Sequence, residues 1–157
     1  MNTVTDCINF GNITATGTNG SYAGGIVGCL GIATPGLGDS VEKCQNYGNI
    51  STTYGIGIGG IIGFFYVGTG DNYSVMNNHN GGNLVNTAAS ENSNNIIWGS
   101  NNMMGTSAVD PSNTYLSSMT FTLGGSPATL SEKAHGATSV TSNPAGITVG
   151  SKTYTKE

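Results

Sequence analysis

Three cysteines, two histidines and eight carboxylates are the side chains of this sequence able to close a disulfide, hold a metal or move a proton near neutral pH. Their spacing narrows the chemistry. Cys7, Cys29 and Cys44 form no C-x-x-C, and His79 and His135 stand far from all three, so the paired-ligand spacings of zinc sites do not form. The acids Asp6, Asp39, Glu42, Asp71, Glu91, Asp110, Glu132 and Glu157 are scattered singly, without a D-D or D-x-D pair. A glycosidase needs two carboxylates flanking one bond, and a polysaccharide lyase needs a base beside the sugar ring. The chain has no arginine, and Lys43 is the sole lysine before residue 133. Neither a serine nor a cysteine sits in a nucleophile elbow. The reading is therefore non-enzymatic, with a polysaccharide-active enzyme fragment as the third choice.

Two aspartates stay in play as metal ligands. Asp39 in "GLGDS" (36–40) and Asp71 in "GTGDN" (68–72) both sit on glycine-rich turns. Plain connecting turns are the first reading, and a calcium site with backbone carbonyls is the alternative; no other cofactor is expected. "GIGIGG" at 55–60 spells G-x-G-x-x-G, but it opens no helix, and the corresponding "NGSYAGG" explains its glycines through a repeat.

The elements that would position these residues are short strands. Only 8% of the residues are charged, against about a quarter in an ordinary domain. Polarity comes from Asn, Ser, Thr and 26 glycines, which favour turns and hydrogen-bonded ladders over helices. No 3.6-residue stripe of useful length appears, so the chain is expected to be all-β. With net charge -4 and no basic cluster, nucleic acid is not an expected partner. No apolar run reaches about 18 residues, so no membrane insertion is expected. "MNTVTDC" has neither a basic nor an apolar signal region, and the first repeat starts at Val4, which suggests a segment of a longer secreted chain.

"DCINFGNIT" (6–14) returns as "KCQNYGNIS" (43–51) and, altered, as "MNNHNGGNLV" (76–85). Val4, Val41 and Val75 align the copies, 37 and 34 residues apart. A second block follows each first one, "GGIVG" (24–28), "GGIIG" (59–63) and "NNIIW" (94–98), spaced by 35. A unit of this size cannot bury its apolar side chains alone, but stacked units can. The expected fold is a parallel β-helix, or β-solenoid, of about three coils over 1–102 (4–40, 41–74, 75–102), with further irregular β coils and a cap over 103–157, or a small flanking β unit as the alternative. Stacking makes ladders: Cys7, Cys44 and Asn78 in one column and Asn9, Asn46 and Asn80 in another, the amides donating and accepting along the stack. Alternation turns Cys7, Asn9, Gly11 and Ile13 inward and Ile8, Phe10 and Asn12 outward. Stacked cysteines at about 4.8 Å lie within disulfide range, so Cys7 and Cys44 are read first as small buried apolar residues and second as a disulfide. Gly24-Gly25 and Gly59-Gly60 are expected to turn tight corners.

The pattern C-x-N-x-G-N-[IL]-[ST] followed by [AG]-G-G-I-[VI]-G resembles the GLUG-type repeat over about residues 4–63, and more weakly over 75–99. The third copy departs from it at Asn78 and at Asn94-Asn95. The resemblance implies a bacterial cell-surface or secreted protein, as in stalk regions of immunoglobulin-A-cleaving metallopeptidases. It implies a structural or adhesion module, extracellular or at the cell surface, facing host glycans or surface proteins.

A carbohydrate-binding module is the runner-up. Phe10, Tyr47, Tyr22 and Tyr54 are its candidate ligand-binding residues, since exposed rings beside Asn amides suit sugars. The competing reading stacks Phe10 on Tyr47 only to join neighbouring coils. Beyond residue 102, "YLSSMTFTL", "GGSPATL", "GITV" and "KTYT" suggest strands and hairpins turning at Gly124-Gly125 and Gly150-Ser151.

Overall fold

Strands of two to five residues, interrupted by glycine and asparagine, give this chain frequent corners, and each corner carries it into the next sheet. The computed structural model describes residues 2–17, 20–31, 38–66, 73–88, 94–101 and 110–156. A first pass runs β1 (Thr3–Thr5), β2 (Ile8–Asn9), β3 (Ile13–Ala15), β4 (Ser21–Gly24) and β5 (Val27–Gly31). A second repeats the order with β6 (Asp39–Glu42), β7 (Gln45–Asn46), β8 (Ile50–Thr52), β9 (Gly55–Gly59) and β10 (Ile62–Tyr66). The third has β11 (Tyr73–Met76), β12 (His79–Asn80), β13 (Leu84–Asn86), a bridge from Asn94 to Ile58, and β14 (Trp98–Asn101).

Each strand pairs parallel with its counterpart in the next pass. Val4 pairs with Val41 and Val41 with Val75; Ile13 pairs with Ile50 and Ile50 with Leu84; Val27 pairs with Ile62 and Ile62 with Trp98. The protein is all-β with mostly parallel sheets. Among the described residues, the antiparallel pairs are Phe121–Leu123 with Ser126–Pro127 and Ile147–Val149 with Lys152–Tyr154.

The corner between the first and second strands of each pass has the same backbone. Asp6, Lys43 and Asn77 all lie in the left-handed region, with φ of 54°, 55° and 58°. Asn and Asp tolerate that conformation through short side chains that bond locally, whereas a lysine there is strained.

Within residues 110–156 the chain extends two of the same sheets. β15 (Thr114–Leu116) pairs parallel with β12, β16 (Phe121–Leu123) with β13, and β18 (Thr138–Val140) with β15. This gives one five-stranded sheet ordered β18-β15-β12-β7-β2. β17 (Ser126–Pro127) folds back on β16 through Gly124 and Gly125, both at positive φ. A helix, α1 (Leu130–Ala134), follows, ending in left-handed His135 and Gly136, and composition gave no sign of it. The hairpin of β19 (Ile147–Val149) and β20 (Lys152–Tyr154) turns through Gly150.

The core is one cluster. Val41, Cys44, Ile50, Ile58, Ile61, Ile62, Leu84, Ile96 and Ile97 are fully enclosed, joined by Phe65, Trp98 and Phe121. The glycine pairs act differently from the corners expected of them. None of Gly24, Gly25, Gly59 and Gly60 has positive φ. Close packing demands them: a Cβ on Gly24 would meet Val27 O at 2.1 Å, and one on Gly60 would meet Asn80 Cγ at 2.2 Å. The second glycine of each pair makes room for the asparagine of the next pass, Gly25 for Asn46 and Gly60 for Asn80. The two halves of the repeat are thus packing partners.

Candidate functional site

The residues singled out by type lie mostly inside the stack, bonded to their own copies. Asn9 Nδ2 donates to Asn46 Oδ1 at 2.8 Å, and Asn46 Nδ2 donates to Asn80 Oδ1 at 2.8 Å. The second hydrogen of each amide goes to the carbonyl two residues on, at Gly11, Gly48 or Gly82. The column ends where Asn80 Nδ2 meets Met119 Sδ at 3.5 Å. A second column, on the opposite face, serves the backbone: Asn12, Asn49 and Asn83 accept through Oδ1 from the amides of Asn49, Asn83 and Thr120. Both asparagines of the repeated motif therefore bond neighbouring passes.

The third column joins thiols to amides. Cys44 Sγ lies 3.7 Å from Val4 O, where Asn78 Nδ2 bonds Val41 O at 2.8 Å and Asn113 Nδ2 bonds Val75 O at 2.8 Å. The replacement of cysteine by asparagine keeps the contact to the preceding pass. All three cysteines are free thiols, Cys7 half-buried, Cys29 exposed and Cys44 buried. Burial, with the neighbouring Cys7, pushes the Cys44 thiol up to about 12, so at neutral pH it is a protonated donor to Glu42 O at 3.3 Å and a poor nucleophile. Asn113, missed in the sequence, extends this column: Asn78 N and Nδ2 both donate to its Oδ1 at 3.0 Å.

Asp39 is no turn residue. It opens β6, is buried, and accepts from Asn2 N at 2.8 Å and Asn2 Nδ2 at 3.1 Å through Oδ1. Its Oδ2 is enclosed without a hydrogen-bond partner. Calcium takes six to eight oxygens, and among the described residues no group of three or more His, Cys, Asp and Glu converges. Asp71 lies outside the described residues, as does Glu91.

The aromatic candidates split into separate places. Phe10 and Tyr47 stack at 5.6 Å with planes 14° apart, but Phe10 is 42% exposed and Tyr47 only 6%. Tyr47 was expected at the surface, and the C-terminal segment buries it. Tyr47 Oη donates to Gln45 Oε1 at 2.7 Å, Gln45 Nε2 to Ala145 O at 3.1 Å, and His79 Nε2 lies 3.4 Å from Asn143 Oδ1. His79 Nδ1 meets Thr114 Oγ1 at 2.9 Å, with donor and acceptor set by the tautomer of the ring. Burial lowers the imidazole below its ordinary value, against a smaller upward pull from Asn143. The outer face of β7 and β12 is therefore a second, polar interior, while Phe10 stays open beyond the reach of the cover.

Tyr22 and Tyr54 belong to the other side of the unit. Tyr22 packs on Phe64 with centroids 4.4 Å apart, and Ile56 bulges between the pairs Ser21–Gly55 and Tyr22–Gly57. Tyr22, Tyr54 and Ile56 are all exposed. What this patch offers chemically is apolar contact and ring stacking. A cleft by α1 is lined by Thr129, Glu132 and Lys133, and another by Tyr73, Trp98 and Asp110; among the described residues each contains a single carboxylate. Among the described residues no helix is long and apolar enough to cross a membrane.

In comparisons with known proteins, no family model, no curated protein and no solved structure matched this chain.

Proposed function

We propose that the chain is a β-solenoid segment acting as a non-catalytic structural or adhesion module, a stalk or display element of a bacterial surface or secreted protein. The observation that carries this reading is where its polar side chains go. Asn9, Asn46, Asn80, Asn12, Asn49, Asn83, Asn78 and Asn113 bond from one pass to the next. A chain whose repeated asparagines serve stacking is built for length and rigidity, since each pass is stabilised chiefly by its neighbours. Resemblance to GLUG-type repeats supplies the surface or secreted setting, with host glycans or surface proteins as the partners to be tested.

A carbohydrate-binding module is the second reading, favoured by the exposed Phe10 and by Tyr22, Tyr54 and Phe64 on the other side. A glycan array separates the two. The spacer reading expects no specific signal from the folded protein. A specific signal abolished by Phe10→Ala or Tyr22→Ala, with the melting curve unchanged, would replace it. Tyr47→Ala is an unsuitable control because that ring is buried. Turnover of any polysaccharide that depends on one carboxylate would overturn the non-catalytic reading.

A further inference from the structure

Glycine at a repeated position reveals what must lie against it. In the column Gly11, Gly48 and Gly82, a Cβ on Gly48 would stand 1.9 Å from Gly11 O and one on Gly82 2.0 Å from Gly48 O. The preceding pass is what forbids a side chain. Gly11 has no such neighbour: its nearest atom would be Asn9 Oδ1 at 3.6 Å, an ordinary contact, and its φ is not positive. A second column behaves the same way. Cβ atoms on Gly63 and Gly99 would meet Gly28 O at 2.7 Å and Gly63 O at 2.1 Å, yet Gly28 would meet nothing within 4 Å. The first pass thus keeps two glycines for which only a pass ahead of it gives a reason.

Three further features of the same face agree. Strands β1 to β5 each stand at the edge of their sheet. Val4, Cys7, Ile13, Ala15, Ile26 and Val27 are only partly buried, whereas Val41, Cys44, Ile50, Ile61 and Ile62 are fully enclosed. Asn46 Oδ1 and Asn80 Oδ1 each accept the amide of the preceding asparagine, while Asn9 Oδ1 accepts from its own loop, at Gly11 N.

We infer that the first pass is a receiving face for a further pass of the same two-part unit, carried on the same polypeptide ahead of Thr3. That unit places an asparagine amide on Asn9 Oδ1 and backbone carbonyls over Gly11 and Gly28, continuing the interface already present between the first and second passes. A second copy of this chain does not fit the face in register. At the opposite end β17 covers β16 antiparallel, and Ser139, on the outermost strand β18, stands in the asparagine position. The inference rests on the stacked reading proposed above.

The test duplicates residues 4–40 in tandem, which preserves the 37-residue spacing between Val4 and Val41. Gln45 N and Tyr47 N donate to Cys7 O and Asn9 O at 2.8 Å, so the equivalent amides, those of the original Ile8 and Phe10, gain acceptors in the longer chain. Their hydrogen exchange is expected to slow by about 100-fold or more. Gly11→Ala and Gly28→Ala at the original positions should change the melting temperature of the present chain by no more than about 1 °C, and should abolish the new protection in the tandem chain. Fast exchange at Ile8 and Phe10 in the tandem chain, or indifference of that protection to both alanines, overturns the inference. A dimer of the present chain that Gly11→Ala dissociates also overturns it, in favour of self-association. Gly48→Ala keeps the two claims apart: if it too is harmless, the stacked reading itself fails.

Discussion

The first and second passes carry nearly the same residues and hold them in different surroundings. Ile13 is partly exposed and its counterpart Ile50 is fully enclosed; Cys7 is half-buried and Cys44 buried; Phe10 is open and Tyr47 covered. The difference comes from neighbours, because the second pass has one on either side and its outer face lies under residues 143–145. Burial in this protein is a property of a residue's place in the stack, and equivalent substitutions should have unequal effects.

The largest contrast is expected in the core. Ile50→Ala should destabilise by about 4 kcal/mol, because the site is closed on all sides, and Ile13→Ala by about 1 to 1.5 kcal/mol. Denaturant midpoints read both, and equal losses would break the comparison. The asparagine column comes next. Asn46→Ala removes a fully buried amide, leaves Asn80 Oδ1 without its donor and takes one of the two bonds of Asn9 Nδ2, so a loss of about 3 kcal/mol is expected, against about 1 kcal/mol for Asn9→Ala at the open end.

The covered outer face adds a dependence on pH. His79 is buried against Tyr47, Thr114 and Asn143, and burial holds its pKa below 6.5. The unfolded chain protonates this ring as the pH falls through about 6.5, while the folded chain does so only at lower pH. The unfolded state binds more protons in that window. The stability contributed by the neutral ring is therefore complete above 6.5 and is lost as the pH falls toward and through the folded value. Denaturant midpoints taken from pH 7 to 5 should fall more steeply in the parent than in His79→Gln. Parallel curves would show that the ring is not enclosed.

The smallest effect should run in the opposite direction. Thr52 Oγ1 is buried without a partner, in a column that begins with Ala15. Thr52→Val keeps the branched shape and removes the orphaned hydroxyl, so it should stabilise by about 0.5 to 1 kcal/mol in thermal melts.

The sequence made the first three passes legible because the period survives in residues whose role is repeated. Cys7, Cys44 and Asn78 share a column although their types differ, since the thiol and the amide both reach back to the carbonyl of Val4 or Val41. Strands beyond residue 110 were legible as strands, but the alignment of β15 and β16 with the preceding copies was hidden by a change in length. Asn78 precedes Leu84 by six residues, whereas Asn113 precedes Phe121 by eight, and Met119 fills the added space beneath Asn80. Alternation placed Tyr47 outward, but no local pattern announces a cover that bonds Gln45 from 100 residues away. The turn expected at Asp39 failed for a similar reason: its glycine context suggested a loop, and its bonds to Asn2 tie it into β6, the middle strand of its sheet.

Double-mutant cycles along the asparagine column test the stacking most directly. With Asn9, Asn46 and Asn80 changed to alanine singly and in pairs, the account predicts coupling of about 1 kcal/mol or more for Asn9 with Asn46 and for Asn46 with Asn80. Asn9 with Asn80, separated by a whole pass, should be additive within about 0.5 kcal/mol. Additivity at both neighbouring pairs, or equal coupling for all three, would contradict it.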